Sequence, residues 1–244
     1  MSTLIAAIRS LVTYVYVITF LVVIGAPALL VGIATNTHRH LIVLAITCIR
    51  GALALLGIKV IVAGGEHIQR TRAALYAVNH ASNVEPPVLY AALSELFPRL
   101  RILYKAELRK LPVLVRAFDL AGFVPLERGN RGQSLPAIEQ AAAALRDGNS
   151  FLIFPEGTRS RTGELLPFKK GGFIMALRGQ APVVPVAIKG ARDAMRKGSL
   201  IIRPVRIIVS FGAPIATAGL TLEDRDELIA TVRKAVAALL AEEA

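Results

Sequence analysis

The chain has 244 residues, 54% of them apolar, and a mean hydropathy of +0.56. That is long enough for one domain with a substantial core and more hydrophobic than a fully soluble protein requires. A formal charge of +12 and a pI near 10.4 call for anionic partners. The basic residues are scattered, tryptophan is absent and aromatics make up 6%, which argues against stacking platforms for nucleic acid and for anionic lipid headgroups. The single cysteine, Cys48, lies in an apolar stretch and argues against a disulfide framework, a zinc cluster or a thiolate nucleophile.

The apolar excess sits at the front. No charged residue occurs from Leu11 to Ala34, a stretch of roughly 36 Å as a helix against about 30 Å of bilayer hydrocarbon. A second apolar stretch, Leu41 to Val62, is broken by Arg50 and Lys59 and punctuated by Gly51 and Gly57. It is compatible with a second span, a re-entrant arm or an interfacial helix. Residues 1–62 are therefore expected to be membrane-anchoring helices, with an α/β domain over 63–244. One span would put the amino terminus across the membrane from that domain; two spans or two dipping arms would leave it on the same side.

Beyond residue 60, strand-like and helix-like segments alternate. Strands are expected at about 59–63, 74–79, 101–105, 123–126, 150–154, 183–188 and 204–211, which predicts an α/β fold with a mixed, largely parallel sheet flanked by helices. Ser134 to Arg146 reads as a helix closed by Asp147-Gly148-Asn149. Thr221 and Asp224 resemble a capping box that opens a carboxy-terminal amphipathic helix.

Two short stretches after expected strands carry chemistry. In Asn79-His80-Ala81-Ser82-Asn83-Val84-Glu85, an imidazole that can take a proton from a hydroxyl precedes a carboxylate that can fix its tautomer and stabilise the imidazolium. Proline at 86 and 87 places Glu85 at a loop-to-helix junction, where a tight turn brings it back to His80. In Phe154-Pro155-Glu156-Gly157-Thr158-Arg159-Ser160, Gly157 allows close backbone approach to an anion, Thr158 can cap a following turn, and Arg159 offers a planar fork to phosphate. Together they point to a hydroxyl on a phosphorylated substrate as the nucleophile. The chain has no G-x-S-x-G, G-x-x-x-x-G-K-[ST], G-x-G-x-x-G or H-E-x-x-H motif.

These residues resemble the 1-acylglycerol-3-phosphate (lysophosphatidate) acyltransferase family in four ordered blocks. Asn79, His80 and Glu85 fill N-H-x-x-x-x-D with Glu for Asp. Gly122 to Arg128 loosely match a second block, again with Glu for Asp. F-P-E-G-T-R-S is complete at 154–160, and Val184-Pro185-Val186 stands for the fourth block. Lys105-Ala106-Glu107-Leu108 looks like the basic element ahead of the second block.

The resemblance implies transfer of a fatty acyl group from a thioester donor, acyl-CoA or acyl carrier protein, to a glycerol hydroxyl. His80 would be the base and Glu85 its orienting acid. Lys105, Arg128 and Arg159 would hold the acceptor phosphate, with Gly157 and Thr158 in the same loop. Glu127 and Glu156 would set those cations or contact glycerol. It implies no metal and no tightly bound cofactor. The membrane is expected to be the cytoplasmic one, with the catalytic domain facing the cytoplasm. Glutamate adds a methylene to the base's partner, so the acceptor could differ from the family's commonest one. Another lyso-lipid, such as a lyso-ornithine lipid, or glycerol 3-phosphate is the alternative acceptor, and a non-catalytic lipid-binding protein the alternative class.

Overall fold

The computed structural model describes residues 3–110, 112–126, 131–196 and 198–242; of residues 105, 112–114 and 131–134 it describes the backbone alone. Seven strands form one sheet: β1 (Lys59–Ala63), β2 (Leu75–Val78), β3 (Leu100–Lys105), β4 (Val124–Leu126), β5 (Ser150–Ile153), β6 (Val183–Lys189) and β7 (Arg206–Phe211). Their order is β1-β7-β6-β2-β5-β3-β4. The β6–β7 pair is antiparallel and every other pairing is parallel, so β1 and β7 run against the other five strands.

The central strands are buried on both faces, as a sheet with two helical layers requires. Their side chains alternate between two cores. On β2, Tyr76 and Val78 join the core that holds Leu89, Leu152, Val186 and Phe211, and Tyr76 meets Phe211 edge-on at 6.2 Å. Leu75 and Ala77 join the other, with Phe151, Phe173 and Val183. The first core is covered by α3 (Arg39–Leu56) and α4 (Glu85–Ala92). The second is covered by α6 (Arg131–Arg146), α7 (Gly171–Gly179) and α9 (Arg225–Ala241). Leu228, Val232 and Val236, one turn apart, are the buried stripe of α9. The remaining helices of the α/β unit are α5 (Pro112–Leu120) and the single turn α8 (Ala191–Ala194).

The strand expected from Lys59 belongs to the sheet, pairing with β7 from Lys59↔Arg206 onward. The sheet thus begins before the 62/63 boundary expected from hydropathy, because a hydrophobic edge strand and an apolar anchor look alike in composition. Ahead of it, α1 (Thr3–Phe20), a π-helical turn at Leu21–Gly25 and α2 (Ala26–Thr35) make one continuous helix. Asn36, in the left-handed conformation, turns the chain into α3, which runs back alongside. Thr3–Thr35 and Arg39–Leu56 are each long and apolar enough to cross a membrane.

The first turns of α1 dock on the α/β unit. Ser10 Oγ donates to the Ile202 carbonyl (3.2 Å) and accepts from the Ile202 amide (2.8 Å), and Tyr14 Oη donates to the Leu200 carbonyl (2.7 Å). At the other end of the chain, the Thr221 amide and hydroxyl both donate to Asp224 Oδ2. Asp224 is itself the residue before α9, so only the reaching-back half of a capping box is formed.

Candidate active site

Register places the site. Ala77 of β2 pairs with Ile153 of β5 in parallel, so the loops leaving the two carboxyl ends are level, and positions 80 and 156, three residues beyond each, meet. The His80 amide donates to Glu156 Oε1 at 2.6 Å, and the Ser160 amide donates back to the His80 carbonyl at 2.7 Å. The Phe154 ring stacks on the imidazole at 4.1 Å. On the other flank, Asn79 behaves as an extra strand residue: its side-chain amide donates to the Ile188 carbonyl (3.1 Å) and its oxygen accepts from the Ile188 amide (2.7 Å). His80 is the first residue past the sheet.

Glu85 opens α4, with Pro86 and Pro87 following in its first turn. Its Oε2 lies 2.6 Å from His80 Nδ1, and its Oε1 accepts the amides of Ala81 (2.8 Å) and Ser82 (2.9 Å). Three donors therefore converge on a carboxylate with no solvent exposure. A carboxylate at a helix start also complements the helix dipole. The chain folds back on itself between 81 and 85, which brings the Glu85 carboxylate onto both the ring and the two amides. Burial pushes the Glu85 carboxyl above its ordinary 4.5, opposed by the His80 hydrogen bond and charge and by the two amides. With a carboxylate on Nδ1, the ring carries its proton there and presents Nε2 as acceptor. No residue among those described hydrogen-bonds Nε2.

Glu156, expected to set a cation or touch glycerol, is turned inward. It is 3% exposed, and its second oxygen accepts the Leu166 amide at 3.0 Å. Its carboxyl is also raised, first by burial, with Glu85 adding to the rise and His80 and the amides lowering it. Its place in the site is that of a strut that fixes the His80 backbone.

Gly157 has φ +69°, and a Cβ there would lie 2.9 Å from Lys169 Cδ, so the Lys169 side chain crosses the turn beside Gly157. Lys169 carries no motif signal beyond its place in a Lys-Lys-Gly-Gly run. Thr158 is exposed, its hydroxyl makes no hydrogen bond among the described residues, and no helix begins before α7; it caps nothing. The physical reason is the Ser160–His80 bond, which draws the chain across the sheet end instead of letting it coil.

Arg159 is half-buried in the same loop. Lys105 ends β3 in register with Leu126 of β4, while Glu127 and Arg128 lie outside the described residues. No group of three or more potential metal ligands occurs among the described residues.

A family profile described as Acyltransferase matches residues 59–189. The chain belongs to the acyltransferase family. Among relatives of this acyltransferase, the 1-acyl-sn-glycerol-3-phosphate acyltransferase of Limnanthes douglasii is 34% identical over 72% of the chain and 61% of the relative. That of Cocos nucifera is 38% identical over 67% and 52%. The alpha form of Mus musculus is 30% identical over 77% and 66%. The chain thus spans between half and two thirds of the length of these relatives. The crystal structure of the 1-acyl-sn-glycerophosphate acyltransferase PlsC from Thermotoga maritima has the same fold, with a TM-score of 0.79 at 23% identity, covering 99% of this chain and 100% of that one.

Proposed function

We propose that this acyltransferase moves a fatty acyl group from a thioester donor to the free hydroxyl of 1-acylglycerol 3-phosphate, giving phosphatidate. The observation that carries the reading is the His80–Glu85 pair, closed at 2.6 Å and level with the Gly157–Arg159 loop. His80 Nε2 takes the hydroxyl proton as the oxygen attacks the thioester carbonyl. The new C–O bond forms, the tetrahedral centre collapses with loss of the C–S bond, and the imidazolium returns its proton to the departing thiolate sulfur. Glu85 holds the ring in the tautomer that leaves Nε2 basic and stabilises the transient cation. A positioned base supplies about 10²- to 10⁴-fold, so substrate placement carries the remainder. Arg159, with Lys105 and Arg128, grips the acceptor phosphate, and Gly157 and Thr158 line the same loop.

In this reading the helices Thr3–Thr35 and Arg39–Leu56 anchor the enzyme in the cytoplasmic membrane, with the catalytic unit, β1 included, facing the cytoplasm. Leu4, Ile8, Leu11, Val15 and Ile18, at helical spacing along α1, are all exposed, an apolar stripe suited to lipid. The catalytic test is His80→Ala in purified enzyme: turnover from acyl-CoA or acyl carrier protein to lysophosphatidate is lost while membrane association persists and a cooperative melt shows that the fold is kept. Near-normal transfer by the variant would reject the assigned base.

A further inference from the structure

A pocket of about 420 Å³ opens directly beside the His80 loop, lined by Ala81, Ser160, Arg161, Arg192, Arg196 and Gly198. Three arginines thus face one concavity, beginning one residue from the candidate base. Among the described residues no ion pair links any of them to a carboxylate. Gathering like charges without a partner is unfavourable unless an anion arrives to neutralise them.

The walls are pinned. Arg192 donates through Nε and an Nη to the Arg161 carbonyl at 3.2 and 3.0 Å, and a Cβ on Gly163 would lie 3.3 Å from its Cδ, so the 160–163 loop sits against the Arg192 stem. Ser82 Oγ donates to the Met195 carbonyl at 2.7 Å, tying the segment that carries Arg196 to the His80 loop. The Arg192 guanidinium, held this way, loses little freedom on meeting an oxyanion and keeps N–H groups that are not directed at the Arg161 carbonyl. Gly157, Thr158 and Arg159 do not line the pocket. With the acceptor phosphate assigned to the Arg159 loop, the donor's phosphate, separated from its thioester by the pantetheine arm, needs a second anion site within that arm's reach of the base.

We propose that the Arg161–Arg192–Arg196 pocket receives a phosphoryl group of the acyl donor, the phosphate shared by CoA and the phosphopantetheine arm of carrier protein or a nucleotide phosphate of CoA. The assignment to the donor rests on the acyl-transfer reading above; the pocket itself does not.

The test pairs steady-state kinetics with equilibrium binding in the full-length enzyme carrying Arg196→Ala, and separately Arg192→Ala, with melting curves to confirm folding. Arg196 is the cleaner probe, since Arg192 also braces the 160–163 loop. Loss of a charge-assisted hydrogen bond raises the donor KM about tenfold or more, while the lysophosphatidate KM and the KM for acyl-pantetheine, which has no phosphate, stay unchanged. A rise with both acyl-CoA and acyl carrier protein assigns the arm phosphate, and a rise with acyl-CoA alone a nucleotide phosphate. A rise in the lysophosphatidate KM with the donor KM unchanged overturns the proposal by giving the pocket to the acceptor, and no change in either overturns it outright. Calorimetric binding of CoA and of holo acyl carrier protein separates the two readings. If the wild type transfers nothing yet Arg196→Ala weakens binding about tenfold, the acyl-transfer reading fails and the pocket stands. Normal wild-type turnover with binding unaffected by either substitution leaves the reaction intact and removes the pocket.

Discussion

Glu85→Gln probes the catalytic pair with almost no change in shape. The glutamine oxygen must stay on the Ala81 and Ser82 side, because reversing the amide would set its NH2 against two buried N–H donors now satisfied at 2.8 and 2.9 Å, at about 1–3 kcal/mol for each donor left unpaired. The NH2 then faces His80 Nδ1, which accepts, and the ring proton moves to Nε2, where the base is needed. A lost hydrogen bond alone, at ~1–2 kcal/mol, would slow turnover about 5- to 30-fold. Reversal of the tautomer is larger: the corresponding substitution in a serine-protease triad lowers kcat about 10⁴-fold. The expected fall is therefore about 10³- to 10⁴-fold in kcat, ~4–5.5 kcal/mol of barrier, with the acceptor KM nearly unchanged. All three hydrogen bonds are kept, the one to His80 with its direction reversed, and a buried charge is removed, so Tm should move by only a few degrees. Initial rates of thiol release from acyl-CoA, with lysophosphatidate in mixed micelles, read out kcat directly. A variant with kcat within tenfold of wild type would refute the tautomer argument, because the carboxylate would then not be setting the state of the ring.

Glu85 and Glu156 both have carboxyls raised above 4.5 in the folded protein. For a raised pKa, the stability contribution is complete below the unfolded value and is lost as pH rises through the folded value. The wild type minus Glu156→Gln difference in unfolding free energy should thus decline from about pH 4.5 upward; chemical unfolding in detergent across pH 4.5 to 7 measures it, and a flat difference contradicts the burial argument. Asn79→Ala removes both bonds to Ile188 and should cost about 2–3 kcal/mol in a melt, with kcat reduced as His80 loses its anchored neighbour; an unchanged Tm would show that the sheet does not depend on this extension. Gly157→Ala forces a side chain into left-handed backbone against Lys169, at about 1–2 kcal/mol, or roughly 3–6 °C in Tm. It should also raise the acceptor KM, and an unaltered KM would detach this turn from phosphate binding.

The alternation of elements was plain in the chain because β-branched and aliphatic runs such as Val183 to Ile188 are bounded by Pro, Gly and charged residues, and the observed strands begin and end within about two residues of those expected. Glu85 at the start of α4 was legible from the two prolines behind it. What sequence could not disclose acts over long separations. The inward turn of Glu156 depends on an amide 76 positions away, and the strand-like pairing of Asn79 on a residue 109 positions away. Neither bond leaves a periodic trace. The Arg161–Arg192–Arg196 cluster was equally hidden, since its members belong to different loops. Hydropathy also merged two environments in the first helix: Leu11 onward is apolar and largely exposed, while Ser10 and Tyr14 are bound to the 200–202 segment.

Because Asn79 prolongs β2 by one side-chain step, the location of the imidazole is counted out in residues along the strand. Adding or deleting a single residue between Leu75 and Asn79 would carry the ring about 3.3 Å along the axis and swing it to the opposite side of the layer. Length variation among homologous chains should consequently be purged from the five positions that lead to the base, so that this short strand works as the ruler against which the reaction centre is set.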